Sequence, residues 1–373
     1  MSIHIRSRRL LPASLVAALV LTSPLVAGQS QGPLPGMPPV LSPTDIYAAD
    51  RPGRLDPSVA SMPARIYVPN TESDTVSVID PASYKVIETI PVQRQPQHVT
   101  PSWDMKTLWV LNDLANSLTA IDPMTGKKGR TIPVDDPYNM YYTPDGKFAI
   151  VVAEARERLM FRDAQTMELK NSLFVNCKGV DHMDFTADGR FLIASCEFSG
   201  TVIKVDVAAQ KVVGRLLIDP KAMPQDVKTS PDGKVFYVAD MMSNGVHLIE
   251  PDSFTKIGFL ETGKGAHGLY VSRDSKVMYV SNRGEGSVSL IDLATRKLAT
   301  KWHIPGGGSP DMGGVSADGK VLWLSGRYNR EVYALDTTDG HLLARIPVGK
   351  GPHGLCVYPQ PGRYSLGHTG VFR

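Results

Sequence analysis

Four histidines and three aspartates fall at one register of a repeating sequence. His98, His182, His267 and His353, with Asp181, Asp226 and Asp311, each stand six or seven residues before a turn aspartate or its equivalent. The pairs at this register are Gln97/His98, Tyr138/Asn139, Asp181/His182, Gln225/Asp226, His267/Gly268, Asp311/Met312 and His353/Gly354. Neutral imidazole and carboxylate are the common ligands of zinc, copper and iron. Converging at one channel mouth, these residues would form a ligand site with a transition metal, copper or zinc, as its cofactor. The structural alternative is that each histidine bonds a neighbouring backbone and shapes its turn. Tyr138, Gln225 and Gly268 interrupt any regular metal ring. Adjacent strand positions also face opposite ways, so both registers point inward only if the strand starts are offset.

A second tier of candidates closes the following strands. Asn70, Asn112, Glu154, Cys196, Glu197, Asp240 and Asn282 fall at the same face, with Glu197 and Asp240 the leading ligand-binding candidates. Asn and Asp at such positions also cap turns. Cys177 and Cys196 flank one repeat and project at that face, so a disulfide is expected in an oxidising compartment. The alternative is a soft copper-ligand pair beside Asp181, His182 and Met183. Cys356 reads as a buried thiol. His247, His303 and His341 fall in outer strands or their turns, as surface or packing residues. His368 lies in a tail, YSLGHTGVFR, with no assigned place. There is no Cys-x-x-Cys-His for covalent haem and no Gly-x-Ser-x-Gly elbow. Arg283-Gly-Glu-Gly-Ser287 reads as a hairpin turn, with no helix after it to cradle phosphate.

A repeat must position these residues. Apolar runs close on an acidic residue at Asp80, Asp122, Asp163, Asp206, Glu250, Asp292 and Asp336, at intervals of 42, 41, 43, 44, 42 and 44 residues. Turns such as TPDGK and SADGK precede alternating runs such as KVFYVAD and KVLWLSG, the signal of strands joined by hairpins. No stretch carries a helical apolar stripe. Four short strands per 41–44 residues indicate an all-β, seven-bladed β-propeller. The first unit, 65–92, lacks an inner strand, and HGLCVY at 353–358 supplies one. The two ends of the chain then close one blade, which removes an open edge. The tail PGRYSLGHT competes for the second-strand place that Arg65–Asn70 already fills.

The run RIYVPNTESDTVSVIDPASYKVIETIPV from Arg65, with PDGKVFYVAD and SKVMYVSNRGEGSVSLIDLAT, resembles the YVTN repeat of exported bacterial and archaeal propellers. The resemblance covers 65–358. It implies an architecture like the haem d1 propeller of a nitrite reductase, the copper propeller of nitrous oxide reductase, and surface-layer and lactonase-type propellers. Fold alone does not choose among these functions.

The 373 residues carry a net charge of +3, and three arginines of the first nine residues account for it. Residues 6–27, RSRRLLPASLVAALVLTSPLVA, have the layout of a signal peptide, in part resembling a twin-arginine signal. Without residues 1–27 the chain is near neutral, which argues against nucleic acid and anionic lipid as partners. Residues 28–64 read as a Pro-rich extended linker, 65–358 as the propeller and 359–373 as a tail. Nothing beyond the leader is apolar enough to span a membrane. The expectation is a periplasmic or secreted monomer that binds a protein or small-molecule ligand through its channel-mouth face. The alternative is a metal- or cofactor-dependent redox or lyase enzyme using the His/Asp ring.

Overall fold

Each repeat folds as one four-stranded antiparallel sheet, and seven such sheets form a closed ring of blades. The computed structural model describes residues 32–368 and 371–373; the leader read at 1–27 lies outside them. The fold is all-β, and among the described residues the only helical element is a 3-10 turn at Glu197–Ser199. The innermost strands are Pro96–Pro101, Asn139–Tyr142, Val180–Phe185, Pro224–Thr229, Ala266–Val271, Pro310–Val315 and Cys356–Tyr358, in blades two to seven and then one. Blade one is completed from both ends of the chain, with Arg65, Ile66 and Tyr67 opposite Tyr358, Val357 and Cys356.

The repeated marks have local physical roles. In the Asp-Gly turns the Ser or Thr hydroxyl donates to the aspartate, at 2.6 Å from Thr143 to Asp145 and 2.5 Å from Ser316 to Asp318. The same oxygens accept backbone N–H groups that follow. The glycine at each turn takes positive φ, +70° at Gly146, where a side chain would be strained. The acidic marks cap the next hairpins: Asp163 accepts from the N–H groups of Gln165 and Thr166, and Asp292 from Thr295. Between blades, alternating apolar residues such as Tyr237, Val246, Leu269 and Val280 fill a shared core.

Two segments depart from the sequence reading. Residues 33–62 form no regular element, yet they are not a free spacer. Leu34, Ile46, Tyr47 and Val59 are buried. Leu34 N–H donates to Asp188 O and Ile46 N–H to Pro231 O, both at 2.8 Å. Their apolar residues are spaced without period, so a period search passes over them. The tail does not compete with Arg65–Asn70 for a place in blade one. It runs across the end of the channel near the Asp-Gly turns, called here the lower end. There Ser365 N–H bonds Trp103 O, Tyr142 N–H bonds Leu366 O, and His368 N–H bonds Met140 O.

Candidate functional site

The inner strands solve the orientation problem of the two registers by interrupting their ladders. In blades two, four, five, six and seven the pairing skips from Pro96 to Val99, Val180 to Met183, Pro224 to Val227, Ala266 to Leu269 and Pro310 to Gly313. The skipped residues are the pairs at the candidate register. A bulge of this kind releases consecutive side chains from strict alternation, so histidine at either position reaches the axis.

The structure brings His98, His182, His267 and His353 together, and adds His368 from the tail. Ring centroids lie 4.8 Å apart for His98 and His353, 5.5 Å for His98 and His182, 5.3 Å for His98 and His368, and 4.6 Å for His182 and His368. His267 joins at 6.0 Å from His353. All five are buried. Burial disfavours the imidazolium and pulls His98 down to about 4; the other four are held well below the ordinary histidine value by the same cause. Five neutral imidazoles therefore share one core.

The aspartates divide the work. Asp311 joins His353 Nδ1 at 2.8 Å, His267 Nδ1 at 3.1 Å and Arg283 at 3.2 Å. Asp226 accepts the N–H groups of Val227 and Leu269, both at 2.9 Å, and stands 3.8 Å from His368 Nε2. Burial raises it to about 6. Asp181 lies 3.2 Å from His182 Nε2, yet neither of its oxygens has a hydrogen-bond partner among the described residues. Burial, then Glu197 and Glu154, push it well above the usual carboxylate range.

Above the histidines, at the upper end, the first residue after the second strand is half-buried in blades two to seven. Blades two to four present Asp113, Glu154 and Glu197; blades six and seven present Arg283 and Arg327. Burial and then Glu197 raise Glu154 to about 8. Glu197 is raised by burial, opposed by its bond to Gln225 and by Arg283 and Arg327. Asp240, expected in this group, is not brought to the axis. It accepts from Met223 N, Ser243 and His247 Nε2 within its own blade. Cys177 and Cys196 are disulfide-bonded, with Cα atoms 5.3 Å apart, and Cys356 is a buried free thiol. Sequence reasoning passed over His368, Asn139, Tyr141, Arg283 and Arg327 as site residues. The Tyr, Gly and His content of the tail was the one available signal for His368.

Fold and site define a seven-bladed β-propeller with a histidine-lined channel. The YNCE-like beta-propeller family description matches residues 35–362, and the chain belongs to that family. It is 22% identical over 228 residues to hydrazine synthase subunit beta of Kuenenia stuttgartiensis, covering 53% of this chain and 53% of that protein, so it spans about half of that relative's length. It is 22% identical over 262 residues to the uncharacterized protein YncE of Salmonella typhi, covering 66% of this chain and 73% of that one. Among solved structures it resembles the periplasmic gluconolactonase PpgL of Pseudomonas aeruginosa, with TM-score 0.66, 18% identity, and 80% and 99% of the two chains covered. Dihydro-heme d1 dehydrogenase NirN is similar at TM-score 0.60 and 16% identity over 86% and 82%. At these identities the structural likeness speaks for the fold.

Proposed function

We propose that the protein is an exported binding module that takes a small carboxylate or zwitterion at the upper mouth of its channel. One observation carries the reading: Arg327 Nη1 and Arg283 Nε are buried at this mouth with no hydrogen-bond partner among the described residues. A guanidinium presents a fork of donors that matches a carboxylate. Across the mouth, the carboxyls of Asp113, Glu154 and Glu197, raised by burial, would ionise against the cationic end of a zwitterion. The lower end is covered by residues 33–62 and the tail, so approach to the axis is from above. Export rests on the leader at 1–27 and on the disulfide, and no helix among the described residues is long and apolar enough to cross a membrane. A second reading, a metal-dependent enzyme, is favoured by the five histidines beneath the mouth.

The test is a thermal-shift series with free amino acids, simple carboxylates and their methyl esters. A bound ligand raises the melting temperature by mass action. The free acids should shift it and the esters should not, and Arg327→Gln should abolish the shift. No shift with any acid, or an unchanged shift in Arg327→Gln, overturns the reading.

A further inference from the structure

We infer that His98, His182 and the tail's His368 form a transition-metal site on the channel axis, so that metal binding fastens the C-terminal tail to the blades. This stands apart from whatever binds at the mouth above. One ring nitrogen of each residue lies within 4.8 Å of one of each other, and all three side chains are buried. Among the described residues the Nε2 atoms of His98 and His182 have no hydrogen-bond partner. A polar atom buried in that way is a standing cost unless something satisfies it.

The rings are held as ligands are held. His98 Nδ1–H donates to the carbonyl of Tyr138 at 3.0 Å, which turns the Nε2 lone pair inward. The side-chain amide of Asn139 reaches Nδ1 of both His182, at 2.9 Å, and His368, at 3.0 Å. With the amide nitrogen there, both Nδ1 atoms accept and both Nε2 atoms carry the proton. Turning the amide over leaves its shape unchanged. Its oxygen then accepts from both Nδ1–H groups, which places the lone pair of each ring on Nε2. The Met140 N–H, now 2.8 Å from that oxygen, loses this acceptor. One amide thus sets the tautomer of two ligands.

Asp181 is the carboxylate beside His182, 3.2 Å from its Nε2. His267 and His353 are engaged by Asp311 and flank the site. Zinc–nitrogen bonds of about 2.0–2.1 Å require the three rings to close in slightly. His368 can follow, because among the described residues the tail meets the blade through isolated bridges such as Tyr141 with Gly367. Three imidazoles with a fourth position left for water or ligand match an open zinc or copper centre.

The full-length protein is stripped with chelator and titrated with Zn²⁺ by calorimetry and with Co²⁺ by visible absorption. The background is His341→Ala, because Asp336, Asp339 and His341 form a second, exposed cluster. One equivalent should bind, with an intense four-coordinate cobalt spectrum and a higher melting temperature. His98→Gln and His368→Gln should each weaken zinc by more than about 100-fold, beyond the loss typical of residues that only orient a ligand, and His353→Gln by less than about tenfold. Asn139→Asp, which keeps an acceptor for both Nδ1–H groups, should still bind, and Asn139→Leu should not. Absence of zinc and cobalt binding in the parent, or unchanged affinity in a folded His368→Gln, overturns the site. Arg327→Gln should leave metal affinity unchanged, so failure of the carboxylate reading and failure of this one give different results.

Discussion

The two ends of the channel are built from the same repeat but finished in opposite ways. At the upper end, charged side chains stand half-buried, and the next turn position presents Leu114, Phe198, Met242 and Tyr328 at 55%, 60%, 59% and 71% exposure. At the lower end, residues outside the repeat cover the axis. Arg373 pairs with Asp184 at 2.9 Å, lies over the Tyr47 ring at 4.5 Å, and is buried. Tyr364 stacks on Trp103 at 5.3 Å. The difference teaches that the repeat makes the ring, while aperiodic segments decide which end admits a ligand.

The largest effect should come from breaking the lower closure. Arg373→Ala leaves Asp184 buried and unpaired, and removing one partner of a buried ion pair costs about 3–5 kcal/mol. Arg327→Ala at the mouth removes a half-buried arginine whose Nη1 has no hydrogen-bond partner among the described residues and should cost about 1 kcal/mol or less. Urea denaturation of both variants decides it. Equal losses at the two ends would erase the contrast.

The disulfide sharpens the comparison from the upper side. Cys177 and Cys196 are 19 residues apart and bracket the strand that carries Asp181 and His182. In the chain-entropy account a loop of this size contributes roughly 3 kcal/mol. The double variant Cys177→Ala/Cys196→Ala should lose about that much in equilibrium unfolding. A loss under about 1 kcal/mol would mean that residual structure already restrains this loop in the unfolded ensemble.

The ring was legible because its turns repeat their chemistry: acidic caps, Asp-Gly hairpins and alternating strands each recur at fixed distance. The channel histidines were legible for the same reason. Their orientation was not, because the skipped pairs at Gln97/His98 and its counterparts have no mark in residue type. His368 was illegible because its neighbours in space, His98, Asn139 and His182, lie up to 270 residues away in the chain. Residues 33–62 were misread for a related reason. Proline content suggested a spacer, and the few apolar residues that anchor it follow no period.

The smallest effect tests a substitution within the repeat itself. In blade six Asn282 Nδ2 donates to Ser287 and Ser289, both at 3.0 Å. In blade five the corresponding places hold Asp240 and His247, joined at 2.9 Å. Burial alone would raise the Asp240 carboxyl, but hydrogen bonds from His247, Met223 N–H and Ser243 hold it down to about 2. A carboxyl lowered from its ordinary value near 3.8 contributes stability that is complete above that pH and is lost as pH falls toward 2. Allowing for partial solvent screening, the contribution is about 1–2 kcal/mol. The double variant Asp240→Asn/His247→Ser installs the blade-six pair and removes the lowered carboxyl. At pH 7 it should be less stable than the parent by about 1–2 kcal/mol, and the gap should close between pH 4 and pH 2. Urea midpoints of both proteins across that range measure it. A gap that stays constant with pH would show that Asp240 acts through shape alone, and would free it for reconsideration as a ligand at the upper face.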